Sequence, residues 1–372
     1  MKTTKFTALF LVAALLMLSG CASNTPTSAS SPAETKAPAE SPETTADPTP
    51  TESPESTEVP ATDIEDNSTR TQYPLTLSVP YAGGEFVDQT FDQAPERVIV
   101  LGQPIIDAMV YFGLQDKIVG VCYPEPALSV LPRDKYGAIL DALPVLSEFN
   151  PNKETIIATE ADLIITNRAS MFGDDNLGTL EEINGRGTKV MGYQNLLSGI
   201  EEYKLSYVYE NLERFGKVFD IQDEVAELID AEKATVADIA TKADEETSTE
   251  KPKILFIWRQ GNDSAGVSFG RSNIATTLIE LAGGESVLAE GALSKEALVE
   301  MNPDVILITQ FIENGNELSS FYEDPAYQSL NAVKNKRVVI YDAATMDLID
   351  VHFSLSETAT KVAMAVHPEW YK

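Results

Sequence analysis

Few side chains in this sequence are of types that perform chemistry, and their spacing limits what they can do. There are two His, His352 and His367, and two Cys, Cys21 and Cys122. A metal centre built from three or four imidazoles cannot be assembled from these, and no directly bound metal is expected. Gly266-Val-Ser268-Phe-Gly270 has the spacing of a nucleophile elbow, in which a strand runs straight into a Ser and a helix leaves it. His352 follows, with Asp347 and Asp350 between, so the order Ser, Asp, His of a serine hydrolase is available. Three features count against it. The polar stretch Gln260–Ala265 separates Ser268 from the preceding apolar run, both acids stand too near His352 to orient it, and no His-Gly-Gly oxyanion motif lies upstream. A loop made possible by its glycines accounts better for the motif, and a surface hydrolase using Ser268 is kept as the alternative from another functional class. There is no Walker A loop, no G-x-G-x-x-G after a strand and no Cys-x-x-Cys. The chain is therefore expected not to be an enzyme and to carry no cofactor.

The 372 residues carry 58 acids against 27 Lys and Arg, a formal net charge of −31. Such a charge repels a phosphate backbone and excludes nucleic acid as a partner. Lys2 and Lys5 precede an uncharged apolar run, Ala8–Leu18. That run is short of the roughly 20 apolar residues a bilayer span needs, and has the form of a secretory signal over residues 1–20. Leu18-Ser19-Gly20-Cys21 then resembles the lipobox of bacterial lipoproteins, which implies Cys21 as the lipid attachment site, a diacylglycerol and palmitate anchor as the sole membrane contact, and an extracytoplasmic location. Residues 21–72 follow as a tether with no aromatic residue and eight Pro among Ser, Thr and Glu, a composition that cannot offset its ordering entropy. A spacer of this length suits a Gram-positive surface rather than a Gram-negative periplasm. Only ten of the acids lie between Ala22 and Gln72, so most of the negative charge belongs to the folded body. Cys122, left alone, ends an apolar run and reads as a buried structural thiol.

The elements that must position any site begin after Tyr73. Leu75–Phe91 predicts a hairpin around Gly83-Gly84. Strand-like Arg97–Leu101, Lys117–Val121, Asp162–Thr166 and Lys189–Met191 then alternate with helical Ile105–Phe112 and Leu180–Ile183. A second series follows: Lys253–Trp258, helical Ile274–Leu281, Asp304–Thr309, Arg337–Tyr341 and a last helix Ser354–Val366. Alternation of this kind predicts parallel sheets covered by helices. Between the two series, Ile221, Val225, Leu228, Ile229, Val236 and Ile239 fall near helical spacing and predict one long helix to about Asp244. The fold class expected is α/β, with two Rossmann-like lobes, each with a central parallel sheet, joined by a single long α-helix. The lobes are expected at 73–220 and 251–372, with the connecting helix at 221–250.

One unit occurs in both series. Lys153-Glu154 opens a short helix that leads to Asp162 and a strand, and Lys295-Glu296 opens another that leads to Asp304 and a strand. This repeat suggests two related lobes facing each other. With it, Glu96-Arg97-Val-Ile-Val-Leu-Gly-Gln-Pro-Ile-Ile-Asp107, Gly113–Val121, Asn150-Pro-Asn-Lys-Glu154, Gly283–Val287 and the closing His367-Pro-Glu369 give an order and spacing that resemble the solute-binding lipoproteins of ABC importers for iron–siderophore complexes, haem and cobalamin. The resemblance covers nearly all of the chain from Tyr73 on. It implies a monomer whose two rigid lobes hold a ligand in a shallow cleft between them. It also implies a permease dimer with a cytoplasmic ATPase as partner, docked through one exposed Glu per lobe, here Glu154 and Glu296.

Ligands of facing α/β lobes sit beyond the carboxyl ends of the strands. Those positions hold Tyr123, Arg168, Met171, Phe172 and Tyr193 in the first lobe, and Trp258, Arg259, Phe269, Arg271, Gln310 and His352 in the second. Arg beside aromatic rings suits a large, often anionic ferric siderophore. The family often has a Gly-Arg or Pro-Arg where this chain reads Asp350-Val-His352-Phe-Ser. That departure opens haem, with His352 as an axial ligand, and cobalamin as alternatives to the siderophore.

Overall fold

The computed structural model describes residues 70–126, 129–149, 151–167, 171–173, 177–194, 201–245, 250–259, 266–310, 321–341 and 353–371. Cys21, with the expected signal and tether, lies outside the described residues.

The chain enters through the hairpin read from its turn glycines. Strands β1 (Leu75–Pro80) and β2 (Phe86–Phe91) pair antiparallel from Leu75 opposite Phe91 to Pro80 opposite Phe86. The first βα series runs β3 (Val98–Leu101), α1 (Gln103–Tyr111), β4 (Ile118–Cys122), α2 (Arg133–Asp141), β5 (Val145–Ser147), α3 (Lys153–Ala158), β6 (Leu163–Thr166), α4 (Leu180–Asn184) and β7 (Lys189–Gly192). Its strands form a parallel sheet in the order β5-β4-β3-β6-β7. β3 and β6 are buried at every position, as central strands covered on both faces must be, and this explains their unbroken apolar runs.

Two helices follow, α5 (Ser206–Phe219) and α6 (Gln222–Glu245), separated by Asp220 in the left-handed conformation. The 24 residues of α6 extend about 36 Å at 1.5 Å per residue. Its buried positions are Val225, Ile229, Glu232, Val236 and Ile239, a stripe of alternating four- and three-residue steps. One member of that stripe is a carboxylate.

The second series comprises β8 (Lys253–Arg259), β9 (Gly266–Phe269), α7 (Ile274–Leu281), β10 (Glu285–Ser286), β11 (Glu290–Leu293), α8 (Lys295–Met301), β12 (Val305–Gln310), β13 (Val338–Tyr341) and the C-terminal helix Ser356–Val366. Its sheet is ordered β11-β9-β8-β12-β13, with β10 also beside β8. The β10, β8, β12 and β13 pairings are parallel, whereas β9 and β11 add an antiparallel edge that hydrophobic patterning did not predict. The largest apolar core is continuous from one series to the other. It joins Val98, Ile105 and Leu163 through Phe215, Phe219, Val225, Ile229 and Ile239 to Ile254, Ile274 and Val305. Among the described residues no helix is long and apolar enough to cross a membrane.

The repeat seen in sequence has a structural cause. The Asp162 carboxylate accepts the amides of Glu96 (2.8 Å) and Arg97 (3.0 Å) at the entrance to β3, and Asp304 accepts the Lys253 amide (3.0 Å) at the entrance to β8. β3 pairs with β6, and β8 with β12. In each sheet, then, the Asp preceding one central strand satisfies the open amides at the start of its neighbour.

Candidate functional site

The carboxyl ends of the first sheet are shaped by a close approach. Gly102, between β3 and α1, has φ +97°, and a Cβ there would lie 2.0 Å from Asn167 Oδ1 at the end of β6, so only glycine fits. α1 then carries a buried polar pair, Gln103 Nε2 donating to Asp107 Oδ1 at 2.7 Å. Asp107 also accepts from Ser129 Oγ and the Val130 amide, both 2.8 Å, and Gln103 Oε1 accepts the Glu125 amide at 3.0 Å. These bonds fasten both ends of the loop that leaves β4. They give the Gly-Gln-Pro-Ile-Ile-Asp107 segment its chemical purpose.

That loop begins with Tyr123, held at φ +52°, a conformation that a bulky residue adopts at a cost and that makes it worth weighing as a site residue. Its ring meets Phe149 edge-on at 6.3 Å, and Phe149, just past β5, is 56% exposed. Phe149 belongs among the candidate residues. The sequence concealed it because the three-residue β5 has too short a pattern to be read as a strand. By contrast, Met171, Phe172 and Tyr193 pack into the first lobe's core, at 7, 5 and 4% exposure. Phe172 stacks on Tyr81 at 4.8 Å, and burial pushes the Tyr193 phenol well above its usual pKa. Their places after strand ends suit the wall of a cleft as well as the core they help to close.

In the second lobe the strand register gathers several predicted residues. Trp258 stands opposite Thr309, and Arg259 opposite Gln310, at the ends of β8 and β12. Paired positions on neighbouring parallel strands share a face. The Trp258 indole Nε1 and the Thr309 hydroxyl are both buried and have no hydrogen-bond partner among the described residues. Arg168 and His352, and the side chains of Arg259, Phe269 and Gln310, lie outside the described residues. Arg271 is held by Glu280 (3.2 Å) and Glu202 (3.6 Å), around a cavity of about 310 Å³ that also touches Tyr203, Lys204 and Thr277. It is thus an ion-paired residue at the foot of α7. Another cavity, about 710 Å³, adjoins Pro252 and Arg337, the residues preceding β8 and β13. It opens at the end of the second sheet where α/β proteins do not place their ligands.

Ser268 is 5% exposed and lies within β9, paired with Gly291 of β11. No strand-to-helix elbow forms at the Ser itself. Gly270 instead opens the turn into α7, its carbonyl accepting from Asn273 Nδ2 and Thr276 Oγ1, both at 2.7 Å. Nothing in this geometry supports the hydrolase alternative.

Glu154 and Glu296 occupy equivalent places. Each is the second residue of a short helix, α3 or α8, and each is exposed. Asn152 caps α3 through the Glu154 and Thr155 amides, and Ser294 caps α8 through the Ala297 amide. Because α3 runs back to the start of β6 and α8 to the start of β12, both Glu stand at the carboxyl ends of their sheets, the side of Tyr123 and Trp258.

Comparison with solved structures finds the same fold. A periplasmic binding protein from Veillonella parvula is 23% identical, with 81% of this chain and 94% of that one aligned at a TM-score of 0.70. An ABC-type Fe3+-hydroxamate transport system protein from Saccharomonospora viridis is 22% identical over 79% of this chain and 99% of that one, at 0.62. A periplasmic haem-binding protein from Pseudomonas aeruginosa is 18% identical over 74% and 94%, at 0.55. No curated protein matches the sequence. The family model for periplasmic binding proteins matches residues 98–345, from β3 to beyond β13. With two α/β lobes joined by α6 and a match across both sheets, this chain belongs to the periplasmic binding protein family.

Proposed function

We propose that this protein is an extracytoplasmic solute-binding lipoprotein, anchored through Cys21, that captures a ferric siderophore and delivers it to an ABC permease. The observation that carries the reading is the pair of matched faces. Each lobe presents an aromatic or polar strand end, Tyr123 with Phe149 in one and Trp258 with Thr309 in the other, and an exposed Glu on the same side. A compact chelate with apolar rims and carbonyl or carboxylate oxygens suits such a surface: rings supply contact area, and the buried indole N–H is a donor awaiting an acceptor. The iron enters as cargo, inside its chelator, so no protein ligand to the metal is needed. Fold similarity to the Fe3+-hydroxamate and haem-binding proteins supports an iron complex as the class of solute. Capture requires tighter binding to the closed than to the open form. Delivery then proceeds by docking of Glu154 and Glu296 on Arg of the permease, the ATPase supplying the energy.

The test is titration of the purified protein with ferric desferrioxamine B, ferric enterobactin, haemin and cyanocobalamin, followed by tryptophan fluorescence and confirmed by calorimetry. Saturable submicromolar binding of a ferric siderophore is the expected result. Binding of haemin or cyanocobalamin alone replaces the cargo within the same reading, and binding of none of the four overturns it.

A further inference from the structure

We propose that Lys153–Glu182 and Lys295–Asp324 are matched clamps that fix the orientation of α3 and α8, and so aim Glu154 and Glu296; this rests on the docking role proposed above. α3 has six residues and α8 seven. Helices this short do not hold themselves together, so the direction of an exposed side chain depends on what ties the helix down. In both lobes, besides the cap and one buried apolar residue (Ile156 or Leu298), a tie is made by the first helical residue. Lys153 Nζ donates to Glu182 Oε2 at 2.6 Å, and Lys295 Nζ to Asp324 Oδ2 at 2.6 Å. Each partner lies 29 residues further along the chain.

The partners are equivalent in kind as well as in position. Glu182 closes the capping box of α4, its carboxylate accepting the Thr179 amide at 3.0 Å. Asp324 caps the turn Pro325–Tyr327, accepting the Ala326 amide at 2.9 Å. One acid in each lobe therefore caps a later helical element and grips the lysine beside the docking Glu. The local packing is built around this grip. Gly178 has φ +104°, and a Cβ there would come within 2.9 Å of Glu182 Oε2 and 3.1 Å of Lys153 Cε. In the other lobe the Lys295 ammonium also lies 5.6 Å from the ring of Tyr327, which is fully buried and stacked on Phe321 at 4.9 Å. The arrangement has a second effect. Each lysine, adjacent in sequence to the docking Glu, has its charge drawn to a carboxylate of the neighbouring element.

Partly exposed ion pairs add little to global stability, so a clamp is recognised by what it aims. The experiment compares Lys153→Met/Lys295→Met, Lys153→Arg/Lys295→Arg and Glu154→Ala/Glu296→Ala as fluorescently labelled proteins binding right-side-out membrane vesicles of the producing cell. Amide exchange in α3 and α8 and the urea midpoint are measured on the same proteins. The Glu variant is expected to lose saturable binding. The Met variant should bind about tenfold more weakly and exchange about tenfold faster in α3 and α8 at an unchanged midpoint, with Arg restoring binding to within about threefold. If the Met variant binds within about twofold of the parent while the Glu variant fails, the clamps are refuted and docking stands. If the Glu variant binds like the parent, docking itself is refuted, and this inference with it.

Discussion

At the scale of single residues, Trp258 and Cys122 make opposite predictions. The buried indole N–H of Trp258 has no partner among the described residues, and the side chain as a whole is partly exposed at a strand end. A donor kept in that state is costly in the free protein and gains a bond when a ligand oxygen arrives. Trp258→Phe should weaken binding of the ferric siderophore about three- to tenfold, the size of one net hydrogen bond, while leaving the unfolding midpoint nearly unchanged; calorimetry and urea titration report the two quantities. Cys122 is fully buried at the end of β4, and desolvation pushes its thiol up to about 11. The folded protein should therefore react with a thiol reagent at pH 8 at least a hundredfold more slowly than the urea-unfolded chain, in which the pKa returns to roughly 8.5. Equal rates would show that β4 opens readily to solvent.

At the scale of elements, the decisive group is Glu232. It occupies the buried stripe of α6 at 4% exposure, and its carboxylate accepts from Ser354 Oγ (2.8 Å), Ser356 Oγ (3.0 Å), and the amides of Leu355 (2.6 Å) and Ser356 (2.5 Å). The connecting helix thereby caps the C-terminal helix, its negative charge set against the amides and positive end of the helix dipole. Next to this cap Phe353 packs against Tyr111 at 4.7 Å, so the last helix is tied to α6 and to α1 together. Glu232→Ala strands these donors in a buried place and should cost about 2–4 kcal/mol, read from a lower urea midpoint at constant slope, with Glu232→Gln intermediate. An unchanged midpoint would mean that water replaces the carboxylate. The junction between α5 and α6 is fastened in a similar way. Asp220 accepts the Thr71 amide at 2.7 Å, and that bond, aided by Arg70, holds its carboxyl below the usual range.

At the scale of the whole molecule, a core that runs unbroken through α6 and ties like Glu232 favour small movements, because large hinge bending would open apolar surface along its length. The proposed recognition by a permease would then depend on surface features at fixed positions. Glu154→Ala together with Glu296→Ala should leave siderophore affinity within about twofold and reduce cellular uptake of 55Fe-siderophore at least tenfold. Uptake at the parental rate would exclude these residues as the contact. Each single variant should fall between, since one lobe would keep the proposed charge-assisted bond.

The sequence by itself determined the class of fold, the hairpin, the central strands, the long helix and the equivalence of the two Lys-Glu-Asp units. These follow from hydrophobic period and from residues whose chemistry is local: a strand buried on both faces must be apolar throughout, as Val98–Leu101 is, and an exposed amide at a strand entrance calls for a carboxylate, as Asp162 and Asp304 provide. Glu232 had left a trace as well, an acid where the stripe of α6 calls for an apolar residue, but its partner lies 122–124 residues away, and such a distance carries no periodic signal. Only the tertiary structure could show that Met171, Phe172 and Tyr193 are buried while Phe149 is exposed, because both arrangements satisfy the same local pattern. The edge strands β9, β10 and β11 likewise escaped, being two to four residues long and held by pairing rather than by their own side chains. The ion pairs Lys153–Glu182 and Lys295–Asp324 are decided in the same way: charges find partners by distance in space, which only the folded chain sets.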